Sequence, residues 1–135
     1  MLSSPQYLEL CYELWKSGLS YKPQVGLRIG RGFADVGSEE YAVLSEKKAI
    51  SLLTGTPVEL DEFYLNYYFF VPTVDELVRE LFRRQVDIQK IEYINQRSWR
   101  INVVNISKQQ LTQEDRSLCQ CLGLLLLDQL RSANI

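Results

Sequence analysis

Hydrophobic positions along this chain change period several times, and the changes divide it into helical and strand-like segments. In residues 5–17, Leu8, Cys11, Tyr12 and Trp15 recur at i, i+3, i+4 and i+7, which lays an apolar stripe along one helix face. Ser4-Pro5 offers an N-cap and a proline at the first helical position, and Gly18 closes the segment. The period then drops to two. Val25, Leu27 and Ile29 alternate with Gly26, Arg28 and Gly30, which predicts a strand, with Gly32 and Gly37 as bend and turn and residues 41–44 as its hairpin partner. Ser45 is placed to cap a short helix through Leu53, closed by Gly55.

Residues 56–71 fit both periods. Thr56-Pro57-Val58-Glu59 is a capping box, and Leu60, Phe63, Tyr64 and Tyr67 keep helical spacing; Phe63, Leu65, Tyr67, Phe69 and Val71 fit a strand buried on both faces. The aromatic content favours a short turn followed by a central strand. A second capping box, Thr73-Val74-Asp75-Glu76, opens an amphipathic helix to about Arg84 along Val74, Leu77, Val78, Leu81 and Phe82. The β-branched residues of 86–106, and the alternation of Trp99, Ile101 and Val103 with Arg100 and Asn102, predict a hairpin with residues 95–98 as its loop. Thr112-Gln113-Glu114-Asp115 reads as the cap of a long helix ending near Arg131. From Leu118 to Leu130 that helix is apolar nearly all round, which makes it either a central core helix or an oligomer seam. The expected fold is α+β: a mainly antiparallel sheet with a C-terminal hairpin, packed against N-terminal and long C-terminal helices in a single domain over residues 1–135.

Composition adds mainly exclusions. With 46% hydrophobic and 24% charged residues, the 135-residue chain has ordinary globular make-up. None of its residues is histidine. That removes the usual general base and the commonest metal ligand, hence Ser-His-Asp and Cys-His hydrolases, His-ligated zinc and the non-haem iron facial triad. A net charge of -2 gathers no phosphate, so nucleic acid is not expected. The longest apolar run, residues 121–127, falls far short of the roughly 20 residues that span a bilayer. With no basic segment before Glu9, the N-terminus does not read as a secretory signal, and a soluble cytoplasmic protein with reduced thiols is expected.

Each candidate site has a plain structural counterpart. Cys119 and Cys121 are two apart on a predicted helix and point apart, so they read as buried thiols and no metal site is expected. Residues 26–32 look like a phosphate cradle with Arg28 and Arg31 attached, yet the third glycine position holds Asp35 and no Gly-Lys-Ser/Thr follows. Packing glycines in a strand explain them as well. Phe63, Tyr64, Tyr67, Tyr68 and Phe70 belong to a run of six aromatics in eight residues, which is either core or the wall of a pocket for a planar ligand. Trp99 and Arg100, with Arg79, Arg83, Arg84 and Arg97, offer a local basic-aromatic patch. The acids Glu39-Glu40, Glu59, Asp61-Glu62 and Asp75-Glu76 invite a paired-carboxylate mechanism, but most of them stand where helices begin.

Three functions compete. The first is a non-catalytic regulatory or interaction domain that works through a protein partner or an oligomer surface, a dimer being the simplest. The second is a carrier or sensor for a planar apolar ligand, flavin-like or haem-like. Haem would take Tyr64, Tyr67, Tyr68, Cys119 or Cys121 as axial ligand. A carboxylate-based hydrolase or lyase ranks last, and the expectation leans away from an enzyme.

Overall fold

Ser4 and Pro5 open the first helix as the sequence predicts. In the structure, a computed structural model that describes residues 2–22, 24–33, 37–61 and 66–133, helix α1 spans Pro5–Lys16. The Ser4 hydroxyl accepts a hydrogen bond from the Tyr7 N–H at 3.2 Å, satisfying one donor that a helix start leaves open. Buried positions are Tyr7, Leu8, Leu10, Cys11 and Leu14. The predicted stripe is therefore only partly right: Tyr12 is 37% exposed and leans on Trp15 at 5.9 Å, with the Lys16 ammonium over both rings. Rings with a polar tip tolerate that margin.

The fold is α+β, and the chain divides into two compact units, Met1–Pro72 and Thr73–Ile135. In the first, β1 (Arg28–Phe33), β2 (Gly37–Ser45), β3 (Lys48–Ser51), β4 (Pro57–Glu59) and β5 (Phe69–Phe70) form an antiparallel sheet of order β4-β3-β2-β1-β5. Ile29 pairs with Tyr41 and Gly30 with Glu40, so successive residues serve opposite faces. One face gathers Ile29, Tyr41, Val43 and Ala49 with Leu60 and Tyr68. On the other, Gly30 lies beneath the ring of its β5 partner Phe69, where a Cβ would come within 2.5 Å of that ring. Helix α1 packs against β2 and β5, and the Tyr7 hydroxyl donates to the Pro72 carbonyl at 2.5 Å.

Two predicted elements of this unit are corrected. Residues 45–53, expected as a short helix, form the end of β2, a turn, β3 and a second turn, with Ala49 and Ser51 buried at period two. The Ser45 hydroxyl serves that turn by accepting from the Lys47 N–H at 3.3 Å. Residues 57–59, expected in a turn, form β4, and of the central strand expected over residues 63–71, residues 63–65 lie outside the described residues, Asn66 and Tyr67 turn, and Phe69–Phe70 forms β5 at the sheet edge. A segment buried on both faces has the same composition whether strand pairing or side-chain packing buries it.

In the second unit, α2 (Val74–Arg83) starts at the predicted capping box, with Thr73 and Glu76 each bonding the other's backbone N–H. The predicted hairpin is present as β6 (Asp87–Ile94) and β7 (Ser98–Val104), turning through Asn95 and Gln96 at φ of 52° and 56°. Residues 112–115, expected to cap the long helix, instead belong to β8 (Gln110–Asp115), which pairs antiparallel with β7. Helix α3 (Leu118–Ala133) starts after them: Ser117 accepts from the Gln120 N–H at 3.3 Å. A Thr-x-x-Asp spacing resembles a cap, but the alternation of half-buried Leu111, Gln113 and Asp115 with exposed neighbours is what the sheet uses. Helix α3 packs on α2, β7 and β8, which makes it the core helix of this unit.

Candidate interaction surface

The small sheet has the order β6-β7-β8, so β6 is an edge strand with β7 on one flank. Its register places Ile91 beside Ile101 and Tyr93 beside Trp99, all on the face that α3 covers. Coverage is uneven. Ile101 and Val103 on β7 are sealed, whereas Ile91 and Tyr93 on β6 remain 43% and 55% exposed. Tyr93 leans on Trp99 with ring centroids 4.9 Å apart and planes tilted by 44°, which sets a packed aromatic step beside Ile91. At the start of β6, the 78% exposed ring of Phe82 lines a 480 Å³ groove with Arg83, Gln85, Val86 and Asp87.

The reverse face of the same sheet is polar and internally paired. Lys90 meets Glu92 at 3.3 Å, Arg100 meets Glu114 at 3.2 Å, and the Thr112 hydroxyl donates to Asn102 at 2.8 Å. The hydroxyl of Ser98 and the guanidinium of Arg100 hold the Glu114 carboxyl below the usual carboxylate range. One side is thus built for water and the other is left with open apolar area.

A separate cluster occupies the sheet of the first unit. The Arg31 guanidinium lies 5.5 Å from the Tyr67 ring centroid and 5.7 Å from that of Tyr68. The Tyr67 hydroxyl donates to both carboxylate oxygens of Asp61 at 2.9 Å, which pushes its pKa up. Glu39 accepts from the hydroxyls of Tyr41 and Ser51, and burial, helped by Glu39, raises the Tyr41 phenol as well.

The residues singled out in the sequence scatter. Tyr68 and Phe70 are buried, Tyr68 edge-on to Tyr41 and Phe70 stacked on Tyr21 at 5.4 Å; Tyr67 is 40% exposed. Phe63 and Tyr64 lie outside the described residues, as does Asp35. Arg28 pairs with the buried Glu40 at 3.3 Å. Glu39 and Glu40 are strand neighbours on opposite faces, so they do not converge as an acid pair. Trp99 and Arg100 belong to the other unit from the 66–70 aromatics and stand on opposite faces of β7. The Cys121 thiol donates to the Trp99 carbonyl at 3.3 Å; burial, and behind it the Asp115 charge, pushes its pKa up to about 11. Cys119, two residues away on α3, is half-buried. Ile91 and Tyr93 escaped notice because their alternation with Lys90 and Glu92 reads as an ordinary half-buried strand. No protein-family model, curated protein or solved structure matches the chain.

Proposed function

We propose that this chain is a non-catalytic interaction domain that binds another protein through the open apolar side of its small sheet. The observation that carries the reading is the exposure of Ile91 and Tyr93 beside the sealed Ile101. Apolar side chains aligned on an edge strand form a contiguous surface of the kind a partner covers. The aromatic step of Tyr93 on Trp99 adds the rigid area that interfaces favour. The all-round apolar surface of α3 packs against α2, β7 and β8 and so has less need of an oligomer seam. The ligand-carrier alternative has less support, since Tyr68 and Phe70 are committed to packing.

A photo-reactive benzophenone side chain placed at position 93 in the full chain tests this in cells that make the protein. Protein adducts are expected at position 93 and not at Thr112, an exposed site on the polar face. Equal labelling at the two positions, or none at 93, overturns the proposal.

A further inference from the structure

An edge strand offers its outward backbone N–H and C=O groups to any strand that can lie beside it. Of the two edges of the small sheet, β8 runs beside α3 and carries Glu114 and Asp115, whereas β6 carries the open Ile91 and Tyr93 with both charges, Lys90 and Glu92. We infer that the occupant of this edge is β6 of a second copy of this chain, paired antiparallel about a two-fold axis through Ile91. The inference rests on the interaction-surface reading and names its partner.

Charge selects the register. A two-fold axis normal to the sheet keeps both apolar faces on one side, and directly opposed residues share a face, so the axis must pass through a residue. The β6 pairing with β7 shifts between Ile88 and Lys90, which leaves residues 90–94 as the regular stretch. Centring on Lys90 opposes two ammonium groups, and centring on Glu92 opposes two carboxylates. Centring on Tyr93 sets Lys90 opposite Gln96, already in the turn. Only the Ile91 centre sets each Lys90 against Glu92 of the other copy, with Ile91 on itself inside the regular stretch and Tyr93 facing Gln89 where the β6 register shifts. Lys90 and Glu92 already pair at 3.3 Å within one strand, so the dimer carries four alternating charges on its polar face. On the apolar face, Ile91 meets its own mate, a β-branched cross-strand pair.

Sedimentation equilibrium on the full chain is expected to show a dimer. Lys90→Glu and Glu92→Lys each set like charges opposite one another and raise the dissociation constant about tenfold or more. Mixing the two single variants restores the dimer, because an acidic edge then faces a basic one, and the double exchange K90E/E92K self-associates like the parent. Matching circular dichroism across the set confirms that each variant folds. A monomeric parent, single variants that dimerise as the parent does, or a mixture no tighter than its components overturns the inference. If the parent stays monomeric while adducts from position 93 to a different protein persist, the second copy is the wrong partner and the interaction surface stands.

Discussion

At the scale of single residues, one glycine of the stretch that resembles a phosphate cradle is needed for packing, while a Cβ at Gly26 or Gly32 would meet nothing within 4 Å. That glycine is Gly30: the Phe69 ring occupies the place its Cβ would take, and Phe69 is 1% exposed and has nowhere to move. Gly30→Ala is expected to destabilise the protein by about 1–3 kcal/mol, the usual range for overpacking, measured by urea unfolding. Cys121 is likewise a structural thiol that ties α3 to the Trp99 carbonyl. Its folded pKa of about 11 lies above the ordinary 9.0, so between those values the folded state keeps a proton that the unfolded chain has lost. That contribution is complete below pH 9 and disappears as pH rises toward 11. Urea unfolding across this range should show stability falling with pH in the parent and falling less steeply in Cys121→Ala. Tyr41, whose pKa is also raised, acts with the same sign at higher pH.

Among elements, those with end signals and a long period were legible, and those decided by pairing were not. Helices α1 and α2 carry their own caps, at Ser4 and Thr73, and begin where the sequence places them. The hairpin of β6 and β7 was visible in its β-branched alternation, although its turn lacks the glycine that usually marks one. In the three-residue connection between the paired Ile94 and Ser98, Asn95 and Gln96 adopt the left-handed conformation, and Asn tolerates it better than Gln. Gln96→Gly is accordingly expected to stabilise the protein by about 1 kcal/mol, read as a shift in the urea midpoint. Strands β3 and β8 were missed because Ser45 and Thr112 carry cap-like signals. A local capping preference of about 1 kcal/mol is outweighed once a neighbouring strand supplies a full ladder of hydrogen bonds.

For the whole molecule, the consequence is a domain with an asymmetrically covered sheet. Helix α3 spans β7 and β8 and leaves β6 open, and the resulting apolar strip is the surface proposed to act. Ile91→Ser with Tyr93→Ser should therefore cost little stability in the monomer, within about 1 kcal/mol by urea unfolding, while abolishing association measured by sedimentation. A large loss of stability would instead mark these side chains as core. Among the described residues, no helix is long and apolar enough to cross a bilayer. The sequence by itself determined the α+β class, the capped helices, the hairpin and, through its missing histidine, the chemistries closed to the chain. These follow from periodicity, capping and side-chain pKa, which are local properties. Which apolar residues stay open was decided only by the tertiary structure. Ile91 and Ile101 read alike in sequence, but Ile101 stands on the central strand that α3 packs against and Ile91 on the edge strand beside it.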